Sequence, residues 1–197
     1  MGIFKELFAR FSGLTAEPPV RPSLGIPTPK TPRETLRPFV QKSMSSLGLI
    51  SPSEEEWVLD LFCANQSVRP EGVALISRKS PDQMSIDEKR AIGINPKAFM
   101  SHSYYAKLSE KGKASPLDAL DATLSLCSFL AYHARDIENM KRAGCTHATA
   151  AFGFPDECKA CKKIIGKKFR IDDIPQIPLP GCEMKACAIS FSPVIKD

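Results

Sequence analysis

Between residues 37 and 144 apolar side chains return every three or four positions, the period of helices that bury one stripe, and a helical body is predicted there. A first helix is expected from Arg37 to Leu47, stopped by Gly48 at the position where glycine ends helices. Ser51-Pro52 opens a second, with Ser51 as N-cap and Pro52 in the first helical position, turning Trp57, Leu59, Leu61 and Phe62 inward. The apolar run Val73 to Ser77 reads as a short strand or as a helix. Ser85 and Glu88 have capping-box spacing for a short helix ending before Gly93, and Asn95-Pro96 begins another helical turn through Phe99 and Met100.

The longest predicted helix starts with Ser115 as cap and Pro116 in the first position. Its apolar series runs Leu117, Leu120, Leu124, Cys127, Ala131, Ala134, Ile137 and Met140. Lys141 and Arg142 complement the dipole in the last turn and Gly144 ends it. At ~1.5 Å per residue it is roughly 40 Å long and forms the spine of the body.

The ends of the chain follow other patterns. Residues 1–14 are expected to form an amphipathic helix, with Ile3, Phe4, Leu7, Phe8 and Phe11 on one stripe and Lys5, Glu6 and Arg10 off it. A helix this short is marginal in water, so it needs a surface: the body, a partner groove or a membrane interface. Phe4 and Phe8 are its candidate anchors. Gly2 does not signal myristoylation, because Glu6 stands where that motif needs Ser or Thr. Charges interrupt the apolar residues and no small-residue cleavage site follows, so no secretory signal is read there. Residues 15–36 form a proline-rich linker, with Pro18, Pro19, Pro22, Pro27, Pro29 and Pro32 and few large apolar side chains.

Residues 145–197 change character again. Cys158-Lys159-Ala160-Cys161 and the later Cys182 and Cys187 form two short cysteine loops separated by twenty residues. Zinc takes four thiolate or imidazole ligands tetrahedrally, and paired loops at the ends of a hairpin supply them. Lys167 to Ile171 and Ala188 to Phe191 are the expected strands, joined by a stiff return through Pro175, Pro178 and Pro180. The fold class expected is therefore a mainly α-helical body with a small C-terminal zinc-ribbon-like β module. The ion, Zn2+, would be structural, since four thiolates leave no open position to activate water. Two neighbours offer alternative ligands: Cys145 and His147 form a Cys-x-His pair just before the module. Cys158-x-x-Cys161 also has the spacing of a redox pair, but it lacks the preceding buried strand that such a pair needs.

The string C-x-A-C, then G-K-x-F, then P-x-x-P-L-P-G-C and a last cysteine covers roughly residues 158–189. It matches at Cys158, Ala160, Cys161, Gly166, Lys167, Phe169, Pro175, Pro178, Leu179, Pro180, Gly181, Cys182 and Cys187. This string resembles a C-terminal cysteine module of various bacterial and phage-related proteins, some head-morphogenesis proteins among them. Related modules often end in a C-x-C pair, and Ile189 stands where the second of that pair would be. The resemblance implies a bacterial or phage-associated origin and no activity. It does not extend to residues 1–150.

Charge adds a candidate contact surface. The chain carries a net charge of +5, with basic residues in excess over 1–42 and again over 141–170, leaving the remainder acidic. Lys162, Lys163, Lys167, Lys168 and Arg170, with Lys159, surround the first cysteine loop. Such a cluster suits an anionic partner. Phe169 is its one aromatic, so stacking on nucleic-acid bases is thinly provided for. A protein partner is the leading expectation, with sequence-tolerant nucleic-acid binding the alternative.

Seven cysteines and no secretory signal place the chain in a reducing, cytoplasmic setting, with peripheral contact at the inner membrane surface through residues 2–12 as a further reading. No run of eighteen apolar residues crosses a membrane. Cys63 and Cys127 fall on apolar helix faces and read as core. An acid–base role for His102 or His133 would need a third group that sequence does not place. Phosphate-binding glycine loops, nucleophile elbows and H-E-x-x-H are all missing. The chain is read as a binding or scaffolding protein rather than an enzyme, an unrecognised enzyme class being the remaining alternative.

Overall fold

The computed structural model describes residues 32–152, 158–182 and 189–194. The Phe4 and Phe8 anchors, the linker before residue 32 and Cys187 lie outside them.

Helix α1 spans Arg33–Leu47 and so begins four residues before the expected Arg37. Its first turn is tied to α2 (Glu55–Ala64): Arg33 pairs with Glu56 and Asp60, and Arg37 with Glu55 and Glu56. Exposed pairs of this kind contribute little one by one. The buried Leu36 of the same turn supplies the apolar anchor. Pro38 sits inside the helix near its start, where a missing N–H costs a single bond. Gly48 ends the helix at φ 62°, and its N–H donates to the Met44 carbonyl at 2.8 Å.

Before α2 the expected Ser51-Pro52 start is a 3-10 turn over Pro52–Glu54, with the Ser51 carbonyl rather than its side chain accepting from Glu54 N–H. Leu59 and Phe62 are buried, and Trp57 and Leu61 pack against the same core. The run Val73 to Ser77 belongs to helix α3 (Pro70–Arg78), so the strand reading is not realised. Pro70 opens it, Glu71 and Arg78 suit its two ends, and Val73 and Ala74 are buried. The capping box is present at α4 (Ile86–Ala91). Glu88 N–H donates to Ser85 Oγ at 3.2 Å, and Ser85 N–H donates to the Glu88 carboxylate at 2.7 Å. At Asn95-Pro96 only one turn forms, closed by Ala98 N–H on the Asn95 carbonyl.

Two short helices were not expected, α5 (His102–Ala106) and α6 (Glu110–Lys113). Both have serine N-caps, Ser101 and Ser109, whose side chains accept from Tyr104 and Gly112 N–H. They dock on the loop after α1. Ser51 N–H donates to the Lys107 carbonyl, and Ser109 N–H donates to the Leu49 carbonyl.

The spine, α7, covers Ala119–Arg142 and starts later than Ser115-Pro116 predicts. Tertiary contacts account for the difference. Tyr104 Oη donates to the Pro116 carbonyl at 3.0 Å and Arg78 donates to the Leu117 carbonyl at 2.5 Å. Those two carbonyls are thereby withdrawn from a helical ladder, and Asp118 becomes the N-cap. At the other end Gly144 has φ 74°, and Cys145 N–H closes back on the Met140 carbonyl.

Helix α7 serves two cores. Leu120, Leu124 and Cys127 join the helical body, whereas Leu126, Leu130 and Met140 face a second cluster with Ala148, Ala150, Ile171, Ile177, Leu179, Ile189 and Phe191. The C-terminal segment therefore folds against the spine instead of standing apart as a satellite.

That segment holds a three-stranded antiparallel sheet in the order β2-β1-β3. The strands are β1 (His147–Phe152), β2 (Lys168–Arg170) and β3 (Ile189–Pro193). The two expected strands are present but are not each other's partners. Both flank β1, with Ala148 opposite Phe169 on one side and Ala150 opposite Phe191 on the other. The alanines leave room for Phe169 and Phe191 to meet edge to face, 6.0 Å between ring centroids. Among the described residues no helix is long and apolar enough to cross a membrane.

Candidate metal centre and its basic surroundings

Two separate turns bring three cysteines together. Cys158 is the N-cap of helix α8 (Lys159–Lys162), and Cys161 lies one turn further on. The Cys158 carbonyl accepts from Lys162 N–H at 3.0 Å, and the Cys161 carbonyl accepts from Ile164 N–H at 3.0 Å. Cys182 arrives from the Leu179–Cys182 turn, closed by its own N–H on the Leu179 carbonyl at 2.9 Å. Gly181 takes φ 76° in that turn, a conformation that favours glycine.

The sulfurs of Cys158, Cys161 and Cys182 all lie within 4.8 Å of one another, and Cys161 Sγ is 3.9 Å from Cys182 Sγ. Four thiolates about 2.3 Å from a tetrahedral zinc sit roughly 3.8 Å apart, so the observed spacing suits a metal ion. Cys158 and Cys161 are buried and Cys182 is half-buried. They are backed by Ile164, Ile177 and Leu179 of the second core. Three of the four expected ligands are thus in one place and could hold a metal ion, and the fourth, Cys187, falls outside the described residues. The group includes neither Cys145 nor His147. His147 instead faces its neighbour Thr146, with Nδ1 3.0 Å from the hydroxyl.

Cys63 and Cys127 belong to the core of the helical body. Cys127 is fully buried, and burial pushes its thiol pKa up to about 12. Cys63 is half-buried, and desolvation raises its pKa too. Arg33 and Arg37 pull the Cys63 pKa the other way, but desolvation outweighs them, so neither thiol is poised as a thiolate.

Among the described residues no chain of hydrogen bonds links His102 or His133 to both a carboxylate and a nucleophile. His102 is exposed, with Nε2 3.6 Å from the Glu88 carboxylate. His133 lies in a shallow groove between α7 and β3, together with Tyr132, Asp136, Ile137 and Ser190. Its ring stacks on Phe129 and tilts against Phe191, with centroids 6.4 and 5.3 Å away. Burial depresses its pKa, opposed by the charge of Asp136. Among the described residues no hydrogen bond joins His133 to Asp136 or Ser190, so the imidazole acts as a packing group.

Around the cysteine group the side chains of Lys159, Lys162, Lys163, Lys167, Lys168 and Arg170 are exposed. They lie on α8, on the turn at Gly166 and on β2. Arg170 Nε is 3.9 Å from Asp173 at the edge of the cluster. Within the cluster Ile165 exposes 40% of its surface, while Ile164 and Phe169 are drawn into the second core. The edge-strand placement of Lys168 and Arg170 was not visible in the sequence, because it depends on the pairing with β1. The His147–Phe152 run could have signalled that strand through its buried Ala148 and Ala150, but alanine is a weak strand former. Compared with protein-family models, with curated proteins and with solved structures, the chain matches none.

Proposed function

We propose that this chain is a zinc-stabilised binding protein that contacts a protein partner through its C-terminal segment. The observation that carries the reading is the meeting of Cys158, Cys161 and Cys182 within 4.8 Å directly beneath an exposed basic turn. A metal held by these three thiolates and Cys187 would be closed to substrate and would act as a staple. It would fix α8 and the 179–182 turn, and with them the angle at which the cations and Ile165 are presented. Ile165 offers an apolar anchor, which a protein partner can desolvate.

Nucleic acid is the second reading, favoured by the six exposed cations. The solvent face of the sheet sets His147, Lys168 and Arg170 beside Thr149, Ser190 and Ser192 and, among the described residues, carries no Phe, Tyr or Trp, so cations are better provided there than a stacking platform for bases.

The experiment compares wild type with a variant carrying Lys162, Lys163, Lys167 and Lys168 all changed to Glu. Affinity capture from nuclease-treated host extract at 200 mM salt is expected to retain a protein partner on wild type and lose it on the variant. Capture confined to DNA or RNA, and lost between 50 and 200 mM salt, would replace the protein reading with the nucleic-acid one.

A further inference from the structure

The edge of the sheet points to how that contact is made. The Lys167 carbonyl and the Ile171 N–H mark the side of β2 that faces β1: Ala150 N–H donates to the Lys167 carbonyl and Ile171 N–H donates to the Thr146 carbonyl, both at 3.0 Å, with Phe169 between them opposite Ala148. Successive residues of a strand turn these groups to opposite sides. The N–H and C=O of Lys168 and the N–H of Arg170 therefore point outward, away from β1. Among the described residues none of the three has a hydrogen-bond partner.

The opposite edge is built differently. There β3 turns Ile189, Phe191 and Pro193 outward, as the pairing of Ser190 and Ser192 with β1 requires. Pro193 has no N–H to offer, and Phe191 leans on His133 of α7. Among the described residues the β2 edge is thus the one that sets exposed cations beside outward N–H and C=O groups, whereas the β3 edge is interrupted by Pro193.

Charge selects what the β2 edge accepts. Lys168 and Arg170 are exposed on it, and Lys163 and Lys167 precede it. A second copy of this chain would bring the same cations to the same edge and be repelled. An extended acidic segment would be attracted and could satisfy all three outward groups, with an apolar side chain reaching Ile165 three residues upstream. We propose that the outer edge of β2 is a docking site for an extended acidic protein segment, which adds to the sheet as a fourth strand. This rests on the protein-partner reading above and specifies its geometry.

Arg170 makes the idea testable without disturbing the fold. Its φ of −65° is the value proline requires, and the preceding residue is in a strand, as a pre-proline residue prefers. Arg170→Pro deletes the outward N–H together with the charge, whereas Arg170→Ala deletes only the charge. The probe is a fluorescein-labelled seven-residue peptide alternating Glu and Val. A peptide alternating Glu and Pro is its control, equal in charge but unable to join a sheet. Anisotropy titrations on the full chain at 50 mM salt are expected to show Arg170→Ala weakening the Glu-Val peptide by about threefold. Arg170→Pro is expected to weaken it at least tenfold beyond that, and the Glu-Pro peptide should bind wild type at least tenfold less tightly than the Glu-Val peptide. Metal content and circular dichroism should match among the three proteins. Equal binding by the Pro and Ala variants would overturn strand addition while leaving the protein-partner reading in place. Failure of wild type to prefer the Glu-Val peptide would overturn it as well. The partner reading stands or falls separately, on the nuclease-treated capture.

Discussion

Cys161 and Cys182, twenty-one positions apart, bring their sulfurs to 3.9 Å through two turns that close independently, one at α8 and one at Gly181. Each turn is held by its own backbone hydrogen bonds, so the approach of the sulfurs does not rest on a single long loop. The arrangement couples the cysteine group to the spine. The residues behind the sulfurs, Ile177 and Leu179, share a cluster with Leu126 and Leu130 of α7.

That sharing makes Leu126 a test of the coupling. Its side chain is almost fully buried, and Leu126→Ala should cost about 2–5 kcal/mol, the usual range for a leucine truncated in a core. Because Leu126 packs with the C-terminal cluster, we expect metal to be lost to a chelator more readily in the variant. Urea melts and chelator competition check both parts. A variant destabilised as expected but holding metal as tightly as wild type would uncouple the spine from the site.

Gly112 is expected to behave against its helix propensity. Replacing glycine with alanine in a helix ordinarily gains up to ~1 kcal/mol. Here a Cβ would sit 1.9 Å from the Leu49 carbonyl oxygen, a backbone atom already accepting from Ser109 N–H. Gly112→Ala should therefore destabilise the helical body by about 1–3 kcal/mol, the scale of overpacking. A thermal melt at or above wild type would show that the loop after α1 yields.

The start of the body can be located by truncation. Removing residues 1–31 should leave the melting temperature unchanged. Removing residues 1–36 takes away the Arg33 pairs with Glu56 and Asp60 and the buried Leu36. Burial of a leucine is worth about 1.5–3 kcal/mol, so the longer truncation should melt several degrees lower. Equal melting of the two proteins would move the boundary to the expected Arg37.

His133 gives a pH dependence of known sign. Burial between Phe129 and Phe191 lowers its pKa in the folded chain, with Asp136 opposing. The unfolded chain then binds the proton more readily, so this contribution is complete above the unfolded value near 6.5 and is lost as pH falls through the folded value. His133→Phe should flatten the wild-type loss of stability between pH 7 and pH 5. Denaturation midpoints for both proteins over that range decide it, and parallel curves would show the ring titrating as it does in water.

Much of the body was legible because its signals are local. The capping box at Ser85 and Glu88, the stop at Gly48 and the apolar stripe of α7 each depend on residues within a turn or two. What sequence could not supply depends on distant partners. The true start of α7 is set by Tyr104 and Arg78 taking the carbonyls of Pro116 and Leu117. Strand β1 is rich in alanine, chosen for close packing against Phe169 and Phe191 rather than for strand propensity. Without that strand the two outer strands were expected to pair with one another. At the site, cysteine spacing predicted the meeting of Cys158, Cys161 and Cys182, because four-ligand geometry constrains loop spacing directly. The outer edge of β2 follows from the pairing and was not legible.

The central claim is that these thiolates hold one metal ion that keeps the C-terminal segment in place. Native mass spectrometry of the full chain, purified without chelator and read beside Cys161→Ser and Cys182→Ser, tests it most directly. One zinc per wild-type chain is expected, with zinc lost and the sheet amides opened to hydrogen exchange in either variant. A metal-free wild type whose β1 and β3 amides are as protected as those of α7 would contradict it.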